Sequence, residues 1–393
     1  SEAHPVDRWQ MRSTDSPLFK EYLRLAFDAG WDDLVDVNAE RLSSKDVLLV
    51  VDLQNDFVPC DTYNPRGGAF PVAEAAQAAE SITVLMEMFA AAGGLVVSTR
   101  DYHPASHCSF IARGGPFPRH CVQGSIGSHF YKPIGETVQR LRRLGRRSEV
   151  VFKGFHADVD SFGSFAYPED AGTYERVSHD KSCDRLHGCS LLSWTGAACL
   201  ECSNLEEDVN APPDVTAVLN RESLAERLTK AEVERIFVCG LSLDFCVLDT
   251  ALNARTAGFK SVHLILDAAR AAHLPQVGKF GTGFLSDPAE LKRKMVGKGV
   301  RIVPSRALVP ALEASPLGCV PSIDEAFPQS LGTFALAETT GLVLHVDMSA
   351  LRWRGEGAEK EAAELAVRGA KAEGKISPPS ALSAPAATLK AMG

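Results

Sequence analysis

A cysteine at a strand-to-helix junction is the residue in this sequence best placed for nucleophilic chemistry. Residues 233–238 alternate into an apolar run that predicts a buried strand, and behind Cys246 the residues Val247, Ala251 and Ala254 recur at helical spacing. At the start of a helix the first N–H groups lack intrahelical partners and the helix dipole is positive, which stabilises a thiolate. A small, buried apolar cysteine is the alternative. Whether Cys246 is a reactive thiolate or an inert buried cysteine depends on nearby ionisable groups, since these set the pKa of a thiol.

The elements that would position such partners follow a regular alternation along the chain. Apolar runs predict strands over residues 47–52, 95–101, 149–153, 236–239, 261–267 and 299–303. Helical patterns over residues 72–92 and 288–296 lie between some of these runs. Strands that alternate with helices predict an α/β fold with a doubly wound, mostly parallel sheet covered by helices on both faces. In such sheets ligands bind beyond the carboxyl ends of the strands.

Ionisable side chains from different strands fall at or just beyond those ends. They are Asp52, Asp101 and Lys153, and Cys246 follows the fourth strand. A lysine beside the thiol would favour the thiolate, and Asp52 could take the thiol proton and return it to a leaving group. The alternative is a structural Asp–Lys ion pair, which we favour less once Cys246 lies beside it. These positions together predict one catalytic site.

A second group of side chains has the character of metal ligands. Asp101 and His103 lie two residues apart in an extended segment, on the same side, and His120 comes from a nearby loop. One carboxylate and two imidazoles, with positions left for water, suit an open catalytic metal site. We therefore predict one divalent ion, with zinc preferred over iron or manganese. His107 is a further candidate, as a ligand, as a group behind the ligands or as an ordinary loop histidine.

Composition excludes several classes of partner. The net charge of −9 and the pI of 5.7 argue against nucleic acid or an anionic membrane, and no apolar run is long enough to span a bilayer. No signal-peptide pattern is visible at the N-terminus. The ten cysteines are scattered through 393 residues, which favours reduced thiols inside the cell over a disulfide framework. We expect a cytoplasmic location, with a mitochondrial one as the alternative.

The predicted core covers residues 45–312, with an insertion at 166–220. Residues 1–44 form an N-terminal extension with a docking helix near 18–27 and a cap at Asp15-Ser16, and residues 313–393 form a C-terminal extension and tail rich in Ser, Pro and Ala. The insertion contains Cys183, Cys189, Cys199 and Cys202. Only the last two have the spacing of zinc ligands, so we favour loop thiols there.

Six short motifs resemble those of the isochorismatase-like cysteine hydrolases, and within them the nicotinamidase/pyrazinamidase branch. They are VVDLQNDF at 50–57, TRDYHP at 99–104, HCVQGSIG at 120–127, FKG at 152–154, DSFGSF at 160–165 and GLSLDFCV at 240–247. They occur in the family's order, and the resemblance covers residues 47 to about 310 apart from the insertion. The metal-ligand stretches favour nicotinamidases over the isochorismatase-type members, which lack the metal.

The resemblance implies roles for individual residues. Cys246 would attack an amide carbonyl, Asp52 would accept its proton and later protonate ammonia, and Lys153 would stabilise the charges of that pair. A cis peptide bond would fall at Leu241–Ser242, so that the N–H groups of Ser242 and Cys246 form an oxyanion hole.

The resemblance also implies the substrate contacts. A metal on Asp101, His103 and His120 would hold the pyridine nitrogen of nicotinamide, and Phe57 would line the pocket. Tyr102 and Phe117 stand where the family often has Trp, and Ser242 where it often has Ala, so substrate preference is the property most affected.

The additions to the core leave other functions open. The chain could be an isochorismatase-like subunit with a mainly structural role in a larger assembly, or an amidase that acts on another small amide. A recruited, inactive subunit would normally lose a catalytic or metal group, and this chain retains all of them. We therefore predict an active nicotinamidase that forms homo-oligomers or joins an assembly through its extensions.

Overall fold

A computed structural model of the chain describes residues 9, 11–12, 16–38, 40–154, 157, 160–167, 198–200, 209–210 and 223–309. All of them belong to one compact unit within Ser1–Phe327. The predicted C-terminal extension and most of the predicted insertion, with Cys183, Cys189 and Cys202, lie outside the described residues.

Two sheets are formed by the described strands. The strands are β1 (Glu40–Arg41), β2 (Asp46–Val51), β3 (Leu95–Asp101), β4 (Ser148–Lys153), β5 (Ala198–Leu200), β6 (Arg235–Leu241), β7 (Ser261–Arg270), β8 (Arg301–Val303) and β9 (Leu308–Val309). The main sheet has the order β5-β4-β3-β2-β6-β7-β8, while β1 and β9 pair separately in parallel. Strands β2, β3, β4, β6, β7 and β8 are parallel, and β5 is antiparallel to β4.

Helices cover both faces of the main sheet, as the sequence predicts. They are α1 (Pro17–Asp28), α2 (Ala75–Ala91), α3 (Lys132–Arg143), α4 (Leu224–Lys230), α5 (Leu248–Thr256) and α6 (Pro288–Lys298). On β2, Val47 and Leu49 point into the core formed with α1, α4, α5 and α6, whereas Leu48 and Val50 point into the core formed with α2 and α3. Successive side chains of a strand point to opposite faces, so this continuous apolar run supplies both cores.

All six predicted strands of the core are present, as are the predicted helices near 72–92 and 288–296. Helices α3 and α4, strand β5 and the small β1–β9 sheet are additional. None of the helices within the described ranges combines the length and the apolar character needed to cross a bilayer.

The helix predicted near residues 18–27 is present as α1, but its N-terminus is stabilised differently from the prediction. Ser16 lies at the N-cap position and its side chain makes no cap hydrogen bond. The carboxylate of Glu74 instead accepts hydrogen bonds from the N–H groups of Leu18 (2.8 Å) and Phe19 (2.9 Å). A distant acidic residue therefore satisfies the free N–H groups and the positive end of the helix dipole.

Candidate active site

The four strand-end residues come together because their strands are neighbours. The order β4-β3-β2-β6 places the carboxyl ends of these strands side by side, and Asp101 and Lys153 are paired across β3 and β4. Asp52 follows β2 directly, and Cys246 lies in the turn after β6. One carboxylate oxygen each from Asp52 and Asp101 and the sulfur of Cys246 all lie within 4.8 Å of one another.

The nucleophile turn is the connection between β6 and α5. Strand β6 ends at Leu241, the Leu241–Ser242 peptide bond is cis, and residues Leu243–Val247 form a π-helical turn that leads into α5. The cis bond lies at the position that the resemblance implied. Cys246 is 6% exposed, so its sulfur lies at the floor of the pocket and not on an open surface.

Lys153 connects the charged groups of the site. Its fully buried Nζ lies 2.7 Å from Asp52 Oδ2 and 2.5 Å from Asp101 Oδ1, and it donates towards Cys246 Sγ at 3.6 Å. Burial alone would lower the pKa of Lys153, but the neighbouring Asp101 and Asp52 raise it well above its usual value. The side chain is therefore a cation that two buried carboxylates share.

Asp52 is held for proton exchange. Its backbone has φ of 51°, a left-handed conformation that Asp tolerates better than most residues. Thr99 Oγ1 donates to Asp52 Oδ1 at 2.6 Å and accepts from the Asp52 N–H at 3.0 Å. Burial raises the pKa of Asp52 to about 6 against the opposing effect of Lys153. The carboxyl group is therefore a base near neutral pH whose conjugate acid can still return a proton.

The protonation state of Cys246 differs from the thiolate that its position at the start of a helix favours. Burial raises the pKa of Cys246 well above its usual value, and Asp52 adds to the increase while Lys153 opposes it. The helix-start argument considers only the dipole, whereas removal from water disfavours any charged form. The resting nucleophile is thus a neutral thiol, which requires an adjacent base.

The predicted metal ligands form a buried cluster at the side of the same pocket. Asp101, His103 and His120 each offer an atom, and these atoms lie within 4.8 Å of one another. His103 Nδ1 lies 2.9 Å from the Gly154 carbonyl, and His120 Nδ1 lies 2.8 Å from the Pro118 carbonyl. If each Nδ1 carries the proton, each Nε2 has a free lone pair for a ligand, an arrangement typical of metal-binding histidines.

The charge states of His120 and Asp101 suit a cation, whereas Asp101 raises the pKa of His103 against the effect of burial, so His103 would have to lose its proton to bind one. Burial lowers the pKa of His120 to about 4, and the neighbouring His103 adds to the decrease, so this imidazole is neutral at pH 7. Burial would raise the pKa of Asp101, but Lys153 and His103 hold it below its usual value, so the carboxylate is ionised. A neutral imidazole and a carboxylate are the forms that bind a divalent ion.

Phenylalanine side chains enclose the pocket. Its lining includes Cys246, Ser242, the three metal-ligand candidates, Asp160, Ser161, Phe57, Phe70, Phe117, Phe162 and Phe245. The ring of Phe117 contacts the rings of Phe70, Phe162 and Phe245 edge-on, at centroid distances of 5.6, 6.1 and 6.1 Å. A flat aromatic molecule would therefore meet apolar walls between the sulfur and the imidazoles.

The side chains of three other candidates are not among those that line the pocket. Tyr102 packs its ring on Phe152 at 5.5 Å and accepts the Gly124 N–H at 3.0 Å, so it belongs to the core beneath the site. Leu241 also lies in that core. His107 stacks on His103 at 4.0 Å while its Nδ1 lies 2.7 Å from Ser109 Oγ, and it is not part of the ligand cluster.

Comparison with known proteins relates this chain to one family of proteins. Residues 46–142 match the Isochorismatase domain. A nicotinamidase from Acinetobacter baylyi is 25% identical over 240 residues, which cover 57% of this chain and 80% of that protein. A nicotinamidase from Escherichia coli is 26% identical over 242 residues, which cover 58% and 84%.

These matches support a place for this chain among the isochorismatase-like hydrolases. The curated relatives that it matches are nicotinamidases, which supports an amidohydrolase enzyme. Among solved structures, PnC1 from L. infantum in complex with nicotinate has 28% sequence identity and a TM-score of 0.46, covering 69% of this chain and 99% of that one. The pyrazinamidase of Pyrococcus horikoshii in complex with zinc has 26% identity and a TM-score of 0.42, covering 66% and 99%.

Sequence reasoning did not assign several residues of this hydrolase site. Thr99 is an ordinary β3 residue until the sheet order places it beside Asp52. Gln54 lies in the first motif, and its amide nitrogen donates to the carbonyl groups of Asp101 and Ser128, both at 2.8 Å. Asp160 and Phe245 lie within quoted motifs, which is a signal that could have identified them as lining residues.

Proposed function

We propose that this isochorismatase-like hydrolase converts nicotinamide to nicotinate and ammonia through a thioester on Cys246. The main support is one pocket whose lining includes the nucleophile, the candidate metal ligands and several phenylalanine rings, with the buried base Asp52 within 4.8 Å of the nucleophile sulfur. An aromatic carboxamide matches each of these features. The names of the relatives agree with this substrate.

The proposed acylation begins with transfer of the Cys246 proton to Asp52 as sulfur attacks the amide carbon. The carbonyl oxygen becomes negative in the tetrahedral intermediate, and the N–H groups of Ser242 and Cys246 are proposed to stabilise it. Collapse of the intermediate breaks the C–N bond, and the proton on Asp52 moves to the departing nitrogen, which leaves as ammonia. Lys153 keeps both forms of Asp52 accessible because its charge offsets part of the cost of burial.

Deacylation reverses these proton roles. Asp52, again a carboxylate, accepts a proton from the attacking water, the C–S bond breaks, and the thiol regains its proton. The products are nicotinate and the original thiol. Because the pKa of Asp52 is about 6, one group can serve as base and acid in the same turnover near neutral pH.

The ligand cluster fits one divalent metal ion, since its donor set is one carboxylate and two imidazoles whose second nitrogens are already engaged. Asp101, His103 and His120 would hold the ion, and zinc is the ion we propose first. When bound, the metal would supply a Lewis-acid centre for the ring nitrogen of the substrate. The rings of Phe57, Phe70 and Phe117, which contact His120 at 5.5, 6.4 and 5.9 Å, would exclude bulk water around it.

Replacement of His120 by alanine should remove the metal and raise KM. We expect at least a tenfold loss of zinc affinity, because three protein ligands become two. Metal per folded chain, read by elemental analysis after dialysis against a chelator, measures this. His107→Gln is the matched control, since this buried imidazole stacks on His103 outside the ligand cluster and should keep the metal. Metal loss in the control with retention in His120→Ala would reverse the two assignments.

The pH dependence of kcat/KM should show an acid limb near pH 6. Protonated Asp52 cannot accept the thiol proton, so activity should fall as pH drops through its pKa of about 6. Thr99→Val keeps the side-chain shape but removes the hydroxyl that donates to the carboxylate, so the limb should move to higher pH. The pH dependence of kcat/KM, measured for wild type and the variant, gives the shift of the acid limb. An unchanged limb in the variant would show that another group titrates there.

The function itself is tested by ammonia release from nicotinamide by the purified full chain, with metal content measured on the same sample. Turnover with about one metal per chain is the expected result. No turnover despite bound metal would exclude nicotinamide and leave another small amide as the substrate. The absence of both turnover and bound metal would favour the mainly structural role. The residues that suggest that role, 166–220 and 313–393, lie almost entirely outside the described part of the chain.

The proposed setting is a reducing compartment. We propose an intracellular location, in the cytoplasm or a mitochondrion, because ten cysteines scattered through a large chain favour reduced thiols over a disulfide framework. Homo-oligomerisation or membership of a larger assembly remains a prediction.

A further inference from the structure

The nucleophile turn also contains a carboxylate, that of Asp244, two residues before Cys246. It has no part in the proposed chemistry. Asp244 is 8% exposed. Its Oδ1 accepts the Ala272 N–H at 2.9 Å, and its Oδ2 accepts the Ser286 hydroxyl at 2.9 Å. The Ser242 hydroxyl also hydrogen-bonds to this carboxylate. Asp244 therefore joins the turn that bears the nucleophile to residues 271–286, which we call the bridging loop.

Hydrogen bonds and a ring contact within the bridging loop connect its residues to one another. The Leu274 N–H donates to the Gly283 carbonyl and the Phe284 N–H donates to the Phe280 carbonyl, both at 2.8 Å. His273 packs edge-on against Phe284 at 4.9 Å. A loop with these internal bonds can transmit a restraint from one side to the other better than a loose chain.

Helix α1 holds the far side of the bridging loop. The Glu21 carboxylate accepts the Thr282 N–H at 3.1 Å and the Thr282 hydroxyl at 3.0 Å. The Tyr22 ring meets the Phe284 ring edge-on at 5.0 Å. Gly281 has φ of 57° and approaches so closely that an added Cβ would lie 2.8 Å from Leu25. The loop thus contacts α1 on one side and the nucleophile turn on the other.

Helix α1 is itself fixed to the main core. Glu74 accepts the N–H groups of Leu18 and Phe19, and the buried Arg270 guanidinium lies 4.3 Å from the Phe19 ring centroid and donates to Ser16 Oγ at 3.2 Å. These bonds tie α1 to the segment before α2 and to the end of β7. The restraint on the bridging loop therefore comes from a rigid element.

We propose that Asp244 is a positioning residue, and that helix α1 acts through the bridging loop and Asp244 to hold the nucleophile turn in its reactive geometry. Ser242 and Cys246 flank Asp244, so the carboxylate fixes both the proposed oxyanion donor and the nucleophile. Small displacements of reacting groups cost large factors in rate, which makes such support valuable. The inference rests on the proposed amidase activity and assigns the N-terminal segment a role in it.

Two single variants and their combination test the proposal in the full chain. Ser286→Ala removes one bond to Asp244, and Glu21→Ala removes the link from α1 to Thr282. Each should lower kcat about tenfold with KM and metal content unchanged, since the pocket and ligands stay intact. The double variant should be no slower than the slower single one, because both changes break the same connection. Glu290→Ala is the matched control, since Glu290 lies on α6 and pairs with Lys294 of the same helix at 2.9 Å.

Three results would overturn the proposal: unchanged kcat in both singles, an equal loss in Glu290→Ala, or multiplicative losses in the double variant. Assays well below the unfolding temperature separate positioning from loss of folded protein. The rate of Cys246 alkylation by a small neutral reagent gives a second reading that needs no substrate. If wild type fails to hydrolyse nicotinamide, the proposed function fails, but altered alkylation in the two singles and not in the control would still support the positioning role.

Discussion

Replacement of Cys246 by alanine should abolish ammonia release from nicotinamide, with a loss of at least about 10⁴-fold in kcat. A thioester requires a thiol, and among the described residues that line this pocket Cys246 is the one cysteine. Alanine leaves the small, buried position filled by an apolar group, so folding and metal content should be retained. The measurement is steady-state ammonia release, with mass spectrometry of acid-quenched protein to detect the acyl adduct in wild type.

The control for this variant is Cys239→Ala. This thiol is also buried, on β6, where its sulfur donates to the Leu49 carbonyl at 3.6 Å, and it is not among the residues that line the pocket. It should lose a little stability and keep its activity. Retained turnover in Cys246→Ala would remove Cys246 from the mechanism, whereas equal loss in both variants would show that the effect is structural.

Replacement of Lys153 by methionine should lower both stability and activity. Methionine preserves the apolar stem but leaves the carboxylates of Asp52 and Asp101 buried without their shared cation. Loss of one partner from a buried ion pair costs about 3–5 kcal/mol in the free energy of unfolding. The activity should fall at least about 100-fold, because the pKa of Asp52 rises further and the base is protonated near neutral pH. Urea unfolding of chelator-treated protein gives the first quantity and ammonia release the second.

Two further variants test whether the effect of Lys153→Met comes from the loss of the buried cation. Lys45→Met removes an exposed pair with Glu234, whose side chains are 50% and 63% exposed, and should change stability by no more than about 0.5 kcal/mol. Lys153→Met combined with Asp52→Asn should recover part of the lost stability without activity, because the uncompensated charge is removed. If Lys153→Met is as stable as wild type, the carboxylates are not both charged in the folded protein.

The sequence was informative about the site wherever residue type and position in a strand were sufficient. Buried parallel strands read as apolar runs, and each run that ends in an ionisable residue places that residue at the ligand-binding edge. Asp52, Asp101 and Lys153 could be identified in this way before any strand order was known. Cys246 followed from the change of period from strand to helix.

Strand order and packing decided the rest. Thr99 supports Asp52 only because β3 lies next to β2, and the sequence alone does not specify that neighbour. The neutral thiol of Cys246 depends on burial, which removes more stability from the charged form than the helix start returns. The cap of α1 by Glu74 joins residues 55 and 56 positions apart, and no local pattern indicates it.

The amino-acid sequence by itself therefore determined the α/β class, the strand ends that carry the reactive groups and the family whose motifs they match. Only the tertiary structure decided which groups touch, which are charged, and that hydrogen bonds connect the N-terminal helix to the bridging loop and the bridging loop to Asp244. The physical reason is that periodicity and residue type are local properties, whereas pKa values and hydrogen-bond partners depend on neighbours that long-range packing brings together.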